Sequence, residues 1–392
     1  MALTRPVRLC EPVRMPSGNA TQVSAGFRKT EQTFTPGAKT LPQRYFVDPE
    51  VFAEEAEKVF ARQWICVGHQ SQVAQAGEYF VQEVAGESLV MVRDRAGVIH
   101  GFYNVCRHRG TRLREEASGH CAALQCPYHA WTYALDGGLV GAPHMEDVAG
   151  FDKADYSLHA VRLELWEGFI FVSLVEAPLP LEEVFAPLAG KYTHWNLPLL
   201  RSAKRIEYDV RANWKLIFEN YSECYHCPLV HPALSKVSPY DSAENDLSEG
   251  PFLGGFMAIA KGSSLTMSGN ACALPLGDIQ GDDHARVYYY SIFPNLLLSL
   301  HPDYAMVHQI WPQSPERTLI SCDWFFHPDA FQGENFHPED AVEFWDMTNR
   351  QDWHVCELSQ LGIGSRAYTP GPYSPRESIP AAWDREYLRH VC

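Results

Sequence analysis

Four residues of this chain stand in two short runs that could grip a metal centre from two loops: Cys106-Arg-His108 and, seventeen residues on, Cys126-Pro-Tyr-His129. Two thiolates and two imidazoles suit either tetrahedral zinc or a [2Fe–2S] cluster with both cysteines on one iron and both histidines on the other. Zinc sites usually pair like ligands, as C-x2–4-C and H-x3–5-H. Here each loop offers one Cys and one His, an order that serves a cluster in which every loop supplies both irons. Imidazole in place of thiolate also removes negative charge from a cluster and raises its potential. Gly110 and Pro127 suit tight ligand loops, and Cys121 between them reads as a structural thiol.

A second run is denser: Glu219-Asn-Tyr-Ser-Glu223-Cys-Tyr-His226-Cys-Pro-Leu-Val-His231. His226 and His231 are five apart, one more than the helical i, i+4 spacing, and Pro228 interrupts a helix between them. A helix end followed by a turn can still aim both rings at one point. Two histidines and one carboxylate on one face of a metal, with open positions opposite, form the facial triad of non-haem Fe(II) oxygenases. The open positions admit O2 and substrate. The carboxylate must come from elsewhere in the chain. Asp352, in Asn349-Arg-Gln-Asp352-Trp-His-Val-Cys-Glu357, is the expected third ligand, with Asp346 and Glu357 as alternatives. Cys224-Tyr-His-Cys227 is also a C-x-x-C. It lies at a helix end, and the chain holds no second such pair, so a redox or zinc role is set aside.

These residues need a frame. Pro49–Gln63 has helical spacing, with Phe52, Ala56, Val59 and Phe60 on one face. From about Trp64 to Leu174, short alternating or apolar runs broken by Gly, Asp and Asn predict a small all-β domain around the first four ligands; examples are Ser88–Val92, Val98–Tyr103 and Gly168–Ser173. A Pro-bearing connector, Glu176–Leu181, leads to mixed segments. Ala212–Tyr225 reads as a helix, and Val287–Phe293, Met306–Trp311 and Thr318–Phe325 as strands of one antiparallel sheet. Pro338–Leu361 reads as a long amphipathic helix with Val342, Phe344, Trp345, Trp353, Val355 and Leu358 as its apolar members; it would carry Asp352 to the helix before His226. The expected fold is α+β, organised as an arm (1–44), an all-β cluster domain (45–178) and an α+β catalytic domain (179–392).

Bulk properties agree. With 46% hydrophobic residues, 392 residues can supply two cores. A net charge of -16 repels nucleic acid and anionic membranes, and weakly favours a cationic substrate. Eleven cysteines, an odd count over a long chain, do not read as a secreted disulfide framework, so free thiols and a cytoplasmic location are expected. Met1 to about Pro42 has no apolar signal-peptide core, and no run reaches the roughly 18 apolar residues of a membrane span. No Gly-rich dinucleotide fingerprint sits at a strand–helix junction, so NAD(P)H is expected to bind a separate reductase.

On the two ligand motifs, with Asn213-Trp-Lys before the second and Pro232 after it, the chain resembles the α (oxygenase) subunit of Rieske non-haem iron oxygenases from about Tyr45 to the end. Within that family it is similar to the branch of choline, carnitine, glycine betaine and proline betaine oxygenases. Glu223 supports that branch, since many ring-hydroxylating members carry Asp at the bridging position. The resemblance implies a Rieske domain holding a [2Fe–2S] cluster on Cys106, His108, Cys126 and His129, then a helix-grip catalytic domain holding a mononuclear Fe(2+) on His226, His231 and Asp352. It further implies a head-to-tail homotrimer in which one subunit's cluster reduces its neighbour's iron. Glu223 would then link His129 or His108 across the interface to His226.

The implied reaction takes electrons from NAD(P)H through a flavin and iron–sulfur reductase, uses O2, and hydroxylates substrate. On an N-methyl group, the hydroxylated carbon leaves as formaldehyde. The expected substrate is a methylated, quaternary amine such as a betaine. Tyr288-Tyr-Tyr290, Phe293, Trp311 and Trp324 are candidate aromatic faces for it, with Tyr289 pointing away from Tyr288 and Tyr290. Aromatic ring hydroxylation or O-demethylation is the alternative chemistry. A non-catalytic iron–sulfur electron carrier is the alternative of another class.

Overall fold

The computed structural model describes residues 26–333 and 336–392; the first 25 residues of the expected arm lie outside the described residues. The frame of the C-terminal half is one antiparallel sheet of eight strands. Its order runs Arg28–Lys29, Glu244–Leu247, Phe252–Ala258, Arg286–Ile292, Leu296–Leu300, Ala305–Ser314, Arg317–Phe326, Arg201–Val210. Strand alternation gives the sheet two buried faces. Met306 and Ile310 face one core, together with Trp214, Phe218, Trp345, Trp353 and Trp383 from the helices. Ala305 and Val307 face the other, with Trp64, Phe169, Phe171 and Leu181.

The β-rich half is three small sheets. Glu78–Val84, Glu87–Arg93, Ile99–Tyr103 and Ser118–His120 form one. Ile65–His69, Arg162–Trp166 and Phe169–Ser173 form a second, and Leu124–Gln125, Thr132–Tyr133 and Leu139–Gly141 a third. A separate core of Phe102, Leu113, Leu124, Trp131, Tyr133 and Leu158 supports the two ligand loops.

The segment before Trp64 packs on the C-terminal half. The expected helix from Pro49 ends at Glu55 and continues as a π turn, Ala56–Phe60. Glu55 reaches across to Lys215 Nζ (2.5 Å), Trp214 Nε1 (2.8 Å) and Tyr387 Oη (2.5 Å). Glu55 and Lys215 are both buried, so each charge depends on the other.

The long helix spans Glu339–Ile363. Its buried stripe includes Val342, Trp345, Asn349, Trp353, Cys356 and Gln360, each three or four residues after the last. Leu358, expected on that stripe, is 53% exposed, because its place in the repeat falls to Cys356 and Gln360. No helix among the described residues is long and apolar enough to cross a membrane.

Candidate functional site

The two ligand loops of the β-rich half are built alike. In one, Cys106 N–H donates to Thr111 O (2.8 Å) and Gly110 N–H to Cys106 O (3.0 Å); in the other, Cys126 N–H donates to Trp131 O (2.8 Å) and Ala130 N–H to Cys126 O (3.2 Å). Each loop turns at its fifth residue through the left-handed region, Gly110 at φ 78° and Ala130 at φ 56°. Glycine takes that conformation freely, whereas alanine takes it only under constraint. Sequence reasoning singled out Gly110 and had no signal for Ala130. Cys106 and Cys126 are buried, while His108 and His129 are exposed with their rings 4.8 Å apart. His108 stacks on Trp131 at 4.8 Å. Tyr133 Oη lies 3.3 Å from Cys106 Sγ and accepts from Arg107 N–H (3.0 Å), so its own proton is free to point at the sulfur. Inward thiols and outward imidazoles suit a cluster whose histidine edge meets the surface.

The second constellation begins at a helix, Trp214–Tyr221, capped by Asn213 Oδ1 on Lys215 N–H (3.1 Å). This helix stops at Tyr221, four residues short of the expected end, because the Glu223 carboxylate takes the backbone N–H groups of Tyr225 and His226. A one-turn helix, Cys227–Val230, follows with Pro228 in its first turn, where a missing N–H costs nothing. Pro228 therefore opens a new turn, with His226 just before it and His231 just after.

The rings converge with Asp352 of the long helix. His226 Nε2 and His231 Nε2 are 3.2 Å apart, and Asp352 Oδ1 lies 3.2 Å from the first and 2.8 Å from the second. Ligands at right angles about 2.1 Å from one metal lie about 3 Å from each other, so this triangle matches one face of an octahedron. The outer nitrogens are held by acceptors: His226 Nδ1 meets Glu223 Oε1 at 2.6 Å, and His231 Nδ1 meets Gln351 Oε1 at 2.7 Å. Both Nδ1 atoms then carry protons, and two Nε2 lone pairs and a carboxylate oxygen face one another. Such a set calls for a cation at its centre. A proton on His226 Nε2 competes for that place: burial works against a charged His226, yet Asp352 and Glu223 outweigh it and push the imidazole up to about 10. Burial likewise works to raise Asp352, and the two imidazoles outweigh it and hold the carboxyl below its usual value.

The other carboxylates weighed from the sequence lie elsewhere. Asp346 accepts from Tyr208 Oη (2.9 Å) and Arg350 Nε (2.9 Å), and Glu357 accepts from Arg211 N–H (3.0 Å). Cys224 and Cys227 are joined by a disulfide, their Cα atoms 4.9 Å apart. The expectation of free thiols throughout fails at this pair, because the turn that presents His226 also brings the two sulfurs together.

A cavity opens on the three converging groups. Of the aromatic residues expected there, only Tyr289 lines it; Tyr288 and Tyr290 face the opposite core, and Phe293 stacks on His390. Tyr221, Trp345 and Trp353 add to its aromatic wall, and Arg376, paired with Glu31 at 3.1 Å, also lines it. Gln351 and His308 were missed. Gln351 adjoins Asp352 in sequence, a usable hint; His308 had none.

Comparison with known proteins gives a consistent answer. The Rieske [2Fe–2S] domain family matches residues 63–152, and the ring hydroxylating alpha subunit (catalytic domain) family matches residues 197–391. The glycine betaine monooxygenase oxygenase subunit of Chromohalobacter salexigens is 33% identical over 376 residues, covering 86% of this chain and 82% of that one. The carnitine monooxygenase oxygenase subunit of Escherichia coli K12 is 34% identical over 339 residues, covering 84% and 86%. Among solved structures, the quaternary ammonium Rieske monooxygenase CntA in complex with L-carnitine superposes with a TM-score of 0.74 at 27% identity, covering 90% of this chain and 95% of that one.

Proposed function

The chain belongs to the Rieske-type ring-hydroxylating oxygenase α-subunit family, and from that premise we propose that it oxidatively N-demethylates a quaternary or methylated amine of the betaine type. The observation that carries the chemistry is the convergence of His226 Nε2, His231 Nε2 and Asp352 Oδ1 in a cavity walled by Tyr289, Trp345 and Trp353. In this reading His226, His231 and Asp352 hold a mononuclear Fe(2+), and Cys106, Cys126, His108 and His129 hold the [2Fe–2S] cluster. The cluster unit, expected at 45–178, is taken to begin near Trp64, since the segment before it packs on the catalytic unit, 179–392. When bound, the cluster would relay electrons from the reductase and the mononuclear iron would activate O2 for substrate hydroxylation. The polypeptide does the rest. Aromatic faces hold a cationic ammonium by cation–π attraction, and the surplus of carboxylates around His226 favours positive charge.

The same reading includes a head-to-tail homotrimer and a separate NAD(P)H-dependent reductase. The exposed His108 and His129, and the exposed Tyr225 between Glu223 and His226, support electron transfer through a surface contact. Glu223 would join an incoming imidazole to His226. The test is O2 uptake with a surrogate reductase, comparing glycine betaine, proline betaine, carnitine and choline with benzoate-type and phenoxy acids. Stoichiometric formaldehyde from at least one amine is expected. Turnover of aromatic acids alone would move the protein to the ring-hydroxylating branch.

A further inference from the structure

We infer that His308 is a specificity residue that accepts a hydrogen bond from a substrate hydroxyl, so that the cavity selects hydroxylated over unhydroxylated methylated amines; this rests on the amine reading above. A chain of hydrogen bonds leaves His308 one tautomer. Asp346 can only accept, and Tyr208 Oη donates to its Oδ1 at 2.9 Å. The tyrosine oxygen is then an acceptor for Asn349 Nδ2 at 3.3 Å, and the same amide nitrogen faces Cys322 Sγ at 3.7 Å. That orients Asn349 Oδ1 towards His308 Nε2 at 3.3 Å, and Nε2 must therefore carry the ring proton.

His308 Nδ1 is left with a lone pair and no proton. It is buried without a protein partner, on a side chain only 1% exposed that lines the same cavity as His226, His231 and Asp352. The ring stays neutral, because burial pulls it down to about 4. Tyr221 and Trp353 pack edge-on against it, which holds its plane.

A buried neutral acceptor discriminates by chemistry. A trimethylammonium group has no N–H or O–H to give, and a carboxylate only accepts. An alcohol O–H fits. A ligand hydroxyl satisfies an Nδ1 that the free cavity leaves unpaired, and a ligand without one forgoes that bond, a difference of about tenfold in affinity. The implied substrate class is therefore a methylated amine that also bears a hydroxyl.

The experiment uses the reconstituted holoenzyme and two matched pairs of probes: L-carnitine with γ-butyrobetaine, and choline with n-propyltrimethylammonium. Within each pair the hydroxyl is the discriminating group. Dissociation constants are measured by calorimetry, and kcat and KM by coupled formaldehyde release. The hydroxylated member of a pair is expected to bind at least about tenfold tighter, with the difference in KM more than in kcat. His308→Leu should bring the ratio within each pair close to one. His308→Asn, whose amide oxygen can take the place of Nδ1, should restore part of it. Equal affinities within both pairs in the unmodified enzyme would overturn the inference while leaving amine demethylation standing, and this arm needs no variant to fold. A His308→Leu enzyme that weakens all four probes alike would also overturn it. If none of the four is demethylated, the amine reading falls and the inference falls with it.

Discussion

Glu223 Oε1 stands 2.6 Å from His226 Nδ1, on the side of the ring away from His231 and Asp352. One carboxylate thus sets the tautomer of His226 and shapes the turn that presents it. Its position three residues earlier in the chain makes this contact local.

Replacing that carboxylate by a neutral amide should keep the turn and weaken the coupling. Glu223→Gln is expected to retain both metals and to slow reduction of the mononuclear iron by about 10–100-fold, the usual scale for losing an outer partner of a histidine ligand. Single-turnover stopped-flow absorbance of the cluster reads this directly. Unchanged rates would remove Glu223 from the electron path.

Asp352→Ala should lower the iron content from three per chain to two, with the cluster spectrum unaltered. Asp346→Ala and Glu357→Ala should keep all three, since those carboxylates are engaged with Tyr208, Arg350 and Arg211. Iron analysis on the three purified variants decides between them.

Gln351→Leu removes the acceptor from His231 Nδ1, now 2.7 Å away. The ring then loses the group that keeps its proton on the outer nitrogen. Iron affinity at this site is expected to fall about 10–100-fold, measured by competition with a chelator. Full affinity would show that packing alone orients His231.

Tyr133→Phe deletes a hydroxyl 3.3 Å from Cys106 Sγ. Hydrogen bonds to sulfur raise a cluster's reduction potential, so the variant should be harder to reduce. His108→Cys should shift the potential the same way, by adding negative charge. A redox titration followed by electron paramagnetic resonance gives both shifts, and an unmoved potential in Tyr133→Phe would mean its proton is not on the sulfur.

Asp384 gives a stability prediction. Burial pushes its carboxyl up from 3.8 to about 7, while a hydrogen bond from Tyr373 Oη at 2.8 Å opposes the rise. Its neighbour Glu219 is raised as well, by burial and by Asp384 itself. Between pH 4 and 7 the folded protein keeps a proton on Asp384 that the unfolded chain gives up. This stabilisation is whole below about pH 4 and is lost as pH rises to 7, at up to about 1.4 kcal/mol per pH unit. Asp384→Asn should flatten the fall in melting temperature between pH 5.5 and 8 and melt higher than the parent at pH 8. An unchanged slope would assign the dependence to other groups.

Much of the site was legible because its ligands come from short stretches. A C-x-H or C-x-x-H loop brings its own ligands together whatever surrounds it, and two such loops in the same order identified the cluster motif. The strands Arg286–Ile292, Ala305–Ser314 and Arg317–Phe326 were legible too, since apolar and β-branched runs state their period locally. Helix ends were less so. The helix from Trp214 stops early because of a side chain–backbone bond from Glu223, which propensity does not report. The stripe of the long helix was misplaced at Leu358 because two of its buried members, Asn349 and Gln360, are polar.

The sequence by itself therefore determined the candidate ligand types, the α+β frame and the motifs that mark the family. Only the tertiary structure decided which carboxylate meets the histidines, which aromatic ring enters the cavity, and which nitrogen of His308 is left without a proton. The reason is range. Asp352 reaches His231 from 121 residues away, and the bonds from Asp346 to His308 cross between the long helix and two strands. Sheet register and helix packing set such contacts, and no spacing along the chain encodes them.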